Sequence, residues 1–100
     1  MLMPAAESET VRKLSKVFQV LSDETRLKII QALEKRELCV SDIARKAGVS
    51  QTAVSHQLRT LRQMDLVREQ RVGQRVYYRI ADGHIFCIIK DGLDHAKEKR

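Results

Sequence analysis

One glycine, Gly48, most constrains the fold of this chain, because short stretches with helical character lie on both sides of it. Residues 41–47 form a candidate helix that Ser41 can cap, and glycine best adopts the left-handed backbone that ends a helix. Ser50 can cap a longer helix that extends to about Asp65. Its apolar stripe, at three- and four-residue steps, consists of Val54, Leu58 and Leu61. The pattern predicts two helices joined by a tight turn.

Two further helices are predicted before this pair. Helical periodicity begins at Val11 and continues to about residue 21, which predicts a first amphipathic helix. A second helix is expected over about 23–35, with Ser22 or Asp23 as its cap. Both helices have one apolar side, so they can pack against the helical pair around Gly48.

A hairpin and a last helix are predicted after the pair. The side chains of residues 75–80 alternate with the two-residue period of a strand, and Gly73 lies where a hairpin would turn. The last helix starts near Asp82 and has an apolar face that is too broad for a solvent-exposed helix. The expected fold is mainly α with a small β-hairpin, in the order α-α-α-α-β-β-α, which is the winged helix-turn-helix architecture.

The chain is expected to form a single domain over 1–100, with about 1–9 as a flexible N-terminal arm, because its 100 residues suffice for one hydrophobic core. Its 19 Lys and Arg exceed its 13 Asp and Glu, and the net charge of +6 favours a polyanionic partner. No signal-peptide pattern and no membrane-length apolar run is visible in the sequence. We therefore expect a cytoplasmic protein with no membrane partner and with reduced thiols at Cys39 and Cys87.

The predicted architecture suggests a surface that contacts double-stranded DNA. In a helix-turn-helix the second helix enters the major groove, and a hairpin wing contacts the backbone or minor groove. The alternative is a solvated helix face with solubilising arginines. The candidate contacts on the helix are Ser50, Gln51, Thr52, Ser55, His56 and Arg59, and those on the wing are Arg68, Arg71, Gln74 and Arg75.

The last predicted helix also contains four ordinary zinc ligand types, Asp82, His84, His95 and Glu98. The two histidines share a helix face but lie about 16 Å apart along the axis, at a rise of about 1.5 Å per residue. One helix therefore cannot bring both to one ion. Two antiparallel copies would form two equivalent four-ligand sites and would also cover the broad apolar face. The alternative is a helix cap at Asp82 with the other side chains solvated.

Four protein ligands leave no open coordination position for a substrate or an activated water. The sequence also lacks a grouping of nucleophile and base that would indicate catalysis. We therefore expect a regulatory metal site, no small-molecule substrate and no enzymatic activity.

The segments ELCVSDIARKAGVSQTAVSHQLRTLRQMDLV and GQRVYYRI together resemble the ArsR/SmtB family of metal-sensing repressors, over about residues 10–98. The closing segment DGHIFCIIKDGLDHAKE resembles the fifth-helix site of the zinc-sensing members. The resemblance implies a homodimer, formed through the first and last helices, that binds an inverted-repeat operator without metal. It also implies release when zinc binds Asp82, His84, His95 and Glu98. Such ligands also accept cobalt and nickel.

A second family site is incomplete in this chain. Cys39 and Asp42 match two ligands on the third helix, but the N-terminal arm contains no cysteine or histidine and position 41 is serine. The resemblance therefore disfavours arsenite, cadmium or lead as the main inducer. Cys87 is expected to be a small buried hydrophobe. The alternative function is a repressor of the same fold that senses redox state or reactive sulfur through Cys39 and Cys87.

Overall fold

A computed structural model describes residues 5–98 and contains five helices and one antiparallel hairpin within that range. The order of the elements confirms the predicted winged helix-turn-helix. The helices are α1 (Ala5–Leu21), α2 (Glu24–Ala32), α3 (Val40–Ala47), α4 (Gln51–Gln63) and α5 (Gly83–Lys97). The strands are β1 (Val67–Val72) and β2 (Arg75–Ile80).

The first helix begins six residues earlier than predicted, at Ala5 instead of Val11. The predicted arm over 1–9 is therefore wrong for residues 5–9, and residues 1–4 lie outside the described part. Alanine and glutamate are strong helix formers, and Glu7 lies in the first turn, where its negative charge interacts favourably with the helix dipole. Residues 7–16 are exposed. The apolar periodicity of the sequence could not reveal this helix start, because the first residues of α1 are helical through their intrinsic propensity and not through burial.

Two other helix boundaries differ from the prediction. Helix α2 ends at Ala32, earlier than the expected 35. Helix α3 starts at Val40, and Cys39 is the cap position in place of Ser41, without a capping hydrogen bond from its side chain. Asp23 caps α2, where its carboxylate accepts a hydrogen bond from the backbone N–H of Thr25 at 2.9 Å.

The local signals around both turns are confirmed. Gly48 has a φ of 73° and Gly73 a φ of 63°, so both occupy the left-handed region that glycine tolerates best. The Ser50 hydroxyl accepts a hydrogen bond from the backbone N–H of Ala53 at 3.1 Å, which caps α4. These three residues set the angle between α3 and α4 and the position of the hairpin turn.

The hairpin is joined to the helices by a backbone bridge that the sequence did not predict. Leu38 and Tyr78 exchange two hydrogen bonds, with N–O distances of 3.0 and 2.8 Å, next to the ladder between β1 and β2. The bridge fixes the start of α3 against β2. An isolated pair without strand periodicity gives no pattern that sequence analysis can detect.

The hydrophobic core lies beneath α4 and is completed by the other helices and the base of the hairpin. The predicted α4 stripe is buried, with Val54 and Leu61 fully inaccessible and Leu58 2% exposed. Ile29 and Ile30 of α2 belong to the same core. Helix α5 buries only Ile89. Its remaining apolar side chains therefore form a face that the single chain leaves partly open.

None of the helices between residues 5 and 98 combines the length and apolar character that crossing a bilayer requires.

Replacing Gly48 by Ala should destabilise the protein by about 1 kcal/mol, because a left-handed φ disfavours a Cβ even where space is available. Urea unfolding at fixed protein concentration measures the change. Gly83→Ala is the matched control, since that site is equally open and has no left-handed φ. Equal free energies of unfolding for Gly48→Ala and the parent would contradict the assignment of strain to this turn.

Candidate DNA-reading surface and metal ligands

The polar side of α4 is presented to solvent by the core beneath it. Val54 and Leu58 fix the helix from below, so the opposite side is the one that a ligand can reach. The structure exposes every candidate contact from this helix, as well as the cap residue before it. They are Ser50, Gln51, Thr52, Ser55, His56 and Arg59. One turn-and-helix segment therefore carries a continuous set of hydrogen-bonding groups.

The wing residues do not form one surface. In the β1–β2 register, Arg68 pairs with Arg79 and Val72 pairs with Arg75, so these three arginines lie on the same face of the hairpin. Arg71 pairs with Val76 on the opposite face. Sequence analysis did not include Arg79 among the candidate contacts. The alternation over β2, which gives Arg79 the same parity as Arg75, was the signal that could have found it.

Gln74 and Arg71 lie near the end of the hairpin, next to the turn at Gly73. All four predicted wing residues are exposed, as is the apolar side chain of Val72, which is 56% accessible. The hairpin end therefore presents both charged and apolar groups to solvent, where a partner can reach them.

An ion pair joins α4 to the hairpin. Arg62 in the last turn of α4 contacts Glu69 of β1 with an N–O distance of 2.5 Å. Glu69 is directly opposite Tyr78 of β2. Partial burial raises the pKa of Tyr78 above its usual value of 10.0, and Glu69 raises it further as a negative charge and as a hydrogen-bond acceptor. The neutral phenol is thus favoured next to the carboxylate.

The two cysteines lie in different surroundings. The half-buried Cys39 thiol lies 3.2 Å from an Asp42 carboxylate oxygen and 3.3 Å from the Ser41 hydroxyl. Asp42 also pairs with Arg45. Cys87 is exposed, so the expectation that it is buried is wrong. It is two residues from the buried Ile89, and two residues turn a helix by about 200°, to the opposite side.

The first half of the predicted metal site is brought together at the start of α5. Asp82 caps the helix, and its Oδ1 accepts a hydrogen bond from the backbone N–H of His84 at 2.9 Å. The same oxygen lies 2.7 Å from His84 Nδ1. These backbone and side-chain hydrogen bonds lower the pKa of Asp82 below its usual value. Asp82 is therefore a helix cap, and its carboxylate and the His84 imidazole also converge there.

The second half of the predicted site lies at the far end of the same helix. Helix α5 is continuous from Gly83 to Lys97, so His95 is about 16 Å from His84 along the axis at about 1.5 Å per residue. Glu98 is the cap residue, and its backbone N–H donates to the His95 carbonyl at 3.2 Å. Within residues 5–98, no three or more of the ligand-type side chains gather at one point.

The paired ligand types fit a transition-metal ion chemically, although each pair is incomplete. Asp82 and His84 are exposed and adjacent, and they offer a carboxylate oxygen and a ring nitrogen, which are standard zinc donors. His84 retains Nε2 as well as the Nδ1 that faces Asp82. Two donors do not complete a tetrahedron. The missing donors have the same chemistry as His95 and Glu98.

An apolar groove of about 440 Å³ lies between α1 and α5. Phe18 of α1 and Ile88 of α5 are 48% and 43% exposed along it, which is high for large hydrophobic side chains. Further along α1, Val11 and Leu14 are about half exposed. The groove is completed by Leu21, Ser22, Leu27, Ile89, Gly92, Leu93 and Ala96.

Comparison with known proteins decides the family. The model of the bacterial regulatory proteins of the arsR family matches residues 23–69, from the cap of α2 into β1. The chain is 42% identical over 90 residues to a transcriptional repressor SmtB homolog from Synechocystis sp., covering 90% of this chain and 68% of the relative. The chain belongs to the arsR family. The family resemblance and the absence of enzymatic activity expected from sequence are both confirmed, since these relatives are regulators.

Two further comparisons extend the family assignment. A cadmium resistance transcriptional regulatory protein CadC homolog from Staphylococcus aureus is 36% identical over 86 residues, which cover 85% of this chain and 71% of the relative. The homodimeric winged helix-turn-helix DNA-binding domain of Mb0332 from Mycobacterium bovis superimposes with a TM-score of 0.80 at 28% identity. That comparison covers 98% of this chain and 94% of the neighbour. This arsR-family chain therefore has the fold of solved regulators.

Proposed function

We propose that this arsR-family protein is a metal-responsive repressor that binds operator DNA as a metal-free homodimer and is released by zinc at two inter-subunit sites. The observation that carries the proposal is the placement of two ligand pairs at opposite ends of α5, beside an apolar groove. Each pair is incomplete alone. A second antiparallel α5 would supply both the missing donors and the missing apolar surface.

The DNA-binding part of the proposal is supported by the exposed polar side of α4 and the basic wing. A winged helix-turn-helix places the start of α4 in the major groove, where Gln51 and Arg59 can hydrogen-bond to base edges. The net charge of +6 favours the phosphate backbone. A two-fold dimer reads two half-sites, so we infer an inverted-repeat operator. Because bacterial operators are cytoplasmic, we infer that the protein acts there.

The dimer is supported by the exposed apolar side chains of α1 and α5. Phe18 and Ile88 lie along one groove, and its lining is apolar apart from Ser22. The Mycobacterium bovis neighbour is itself described as homodimeric. We infer a second copy of this chain as the occupant of the groove, because only a copy would also bring the complementary ligand pair.

Zinc is supported by the donor chemistry. Two imidazoles and two carboxylates form a closed set of four protein ligands, which suits a regulatory ion. The same donors accept cobalt and nickel. The Cys39 thiol, which already contacts Asp42 and Ser41, is one soft donor among hard ones. We therefore place the inducing metal at α5, although a relative is named for cadmium resistance.

Signal transfer from α5 to α4 can follow packed contacts within one chain. Ile89 attaches α5 to the core that contains Ile29 and Ile30 of α2. Arg26 of α2 donates from Nε to the Gln57 side-chain oxygen of α4 at 2.6 Å. When bound, zinc supplies a fixed coordination geometry that ties the two copies of α5 together. A shift of α5 would then move α2, and α4 with it.

The energy required is modest. A coupling of about 4 kcal/mol weakens operator affinity by about a thousandfold, because each 1.4 kcal/mol corresponds to a factor of ten. A change in the separation of two α4 helices misaligns both half-sites at once. The dimer therefore converts a small displacement into the loss of several base and phosphate contacts.

The alternative inducer is oxidation or reactive sulfur at the two thiols. Cys87 is exposed on α5, which carries the proposed metal ligands, and Cys39 is the cap residue before α3 of the helix-turn-helix. A thiol therefore lies on or next to each of the two functional regions. Titration of the protein–operator complex separates the alternatives. If excess zinc leaves the complex intact and an oxidant dissociates it, the zinc proposal is wrong and the thiols are the sensor.

Replacing His95 by Ala should leave metal-free operator binding intact and abolish release by zinc, because one ligand of both sites is lost. Fluorescence anisotropy with a duplex selected by the parent protein from a random library measures both properties. Arg59→Ala should do the reverse and weaken operator binding by about tenfold or more while zinc binding persists. Zinc-driven release of the His95→Ala variant would exclude the proposed ligand set.

Replacing Phe18 by Glu should weaken dimerisation by about a hundredfold or more, since burying an unpaired carboxylate costs about 3 kcal/mol or more. Sedimentation velocity over a range of concentrations measures the effect. Val72→Glu is the matched control, because Val72 is an equally exposed apolar residue on the hairpin. A Phe18→Glu protein that dimerises like the Val72→Glu protein would show that the groove is not the interface.

A further inference from the structure

A carboxylate lies between α4 and the hairpin, beside the candidate DNA-reading surface. Glu69 is on the hairpin, 40% exposed, and it pairs with Arg62 of α4 at 2.5 Å. A negative charge near the phosphate backbone weakens association electrostatically. The ion pair also removes part of the positive charge of Arg62 from the same surface. Because Glu69 disfavours DNA binding electrostatically, its presence at this position calls for a structural role.

We propose that Glu69 is a positioning residue that holds the wing at its DNA-binding angle by bridging Arg62 of α4 and Tyr78 of β2. The inference rests on the proposed DNA-binding function and deepens it. Glu69 itself contacts no DNA in this account. It acts through the orientation of the hairpin relative to α4.

The position of Glu69 along the hairpin supports this role. The base of the hairpin is held by the buried Val67 and by the bridge between Leu38 and Tyr78. Glu69 lies directly opposite Tyr78, at the outer limit of that base, and the turn at Gly73 is four residues further along the chain. The side chain therefore meets α4 at the last register position that the bridge holds, before the hairpin extends towards its turn.

The geometry makes a small tilt consequential. Four residues of strand span about 13 Å at about 3.3 Å per residue. A tilt of about 10° at Glu69 would therefore move the hairpin end by about 2 Å. Hydrogen bonds tolerate only a few tenths of an ångström around their preferred length. The contacts of Arg71 and Gln74 with a phosphate would be lost by such a displacement.

The state of Tyr78 supports the same arrangement. Burial and the neighbouring Glu69 favour the neutral phenol, which retains a proton that can be donated to the carboxylate. Glu69 thus has Tyr78 as its register partner on β2 and the Arg62 guanidinium as its ion-pair partner on α4. An ion pair with both side chains this exposed contributes little to overall stability, so its removal should leave the fold intact.

Glu69→Gln provides the test, because the charge effect and the positioning effect have opposite signs. Loss of a negative charge alone would tighten binding to DNA. Loss of the wing angle should weaken operator affinity by up to about fivefold, which corresponds to the ~1 kcal/mol that an exposed ion pair can contribute to one orientation. The probe is the duplex selected from a random library by the parent protein, and anisotropy is measured over a series of salt concentrations.

Two matched variants accompany it. Glu34→Gln removes the same charge at an exposed site that has no ion pair within residues 5–98, and it should bind the duplex at least as tightly as the parent. Tyr78→Phe removes only the hydroxyl and should weaken binding in the same direction as Glu69→Gln. It decides the result if the Glu69→Gln protein does not fold by circular dichroism.

The salt dependence separates positioning from a general loss of stability. A wing that no longer reaches its phosphates should reduce the slope of log affinity against log salt by about one. Binding of Glu69→Gln or Tyr78→Phe that equals or exceeds the parent's, with the parent's slope, would overturn the inference. A parent protein that selects no duplex at all would instead overturn the proposed DNA-binding function.

Discussion

The distance between His84 and His95 on one continuous helix is the constraint on which the proposed switch depends. A helix of this length is stiff, and its rise of about 1.5 Å per residue keeps the two rings about 16 Å apart. No rotamer change can close that gap. In the proposed switch the four ligands therefore meet across a two-fold axis, and the partly open apolar side of α5 is the proposed surface for such an axis. Metal binding and subunit geometry then become a single event.

Much of the helix-turn-helix could be predicted because its signals are local. Gly48 adopts a left-handed φ, and the Ser50 hydroxyl accepts a hydrogen bond from a nearby backbone N–H. Each of these signals can be recognised from the type of a single residue. The cap at Asp82 is of the same kind. The predicted start of α1 was wrong because the helix begins with exposed residues, where helix propensity acts without burial. The predicted burial of Cys87 was wrong because it depends on which side of α5 meets the core.

The contacts that join elements could not be predicted, because they depend on tertiary distance. The bridge between Leu38 and Tyr78 links residues forty positions apart, and the Arg62–Glu69 pair links a helix to a strand. Neither contact produces a periodic pattern in the sequence that would reveal it. The candidate metal ligands differ from these contacts, since Asp82, His84, His95 and Glu98 were predicted from residue type and spacing alone and stay a prediction. The dimeric arrangement that would unite them follows from helix geometry, not from any contact within one chain.

Complementation between two defective proteins tests the central claim most directly. A mixed dimer of the His84→Ala and His95→Ala chains would contain one site that lacks both histidines and one site with all four ligands intact. After unfolding and joint refolding, zinc binding is measured by competition with a chromogenic chelator. The mixture should regain tight binding at one site per mixed dimer, while each variant alone should have none. A mixture that binds no more zinc than its two components would contradict the inter-subunit site.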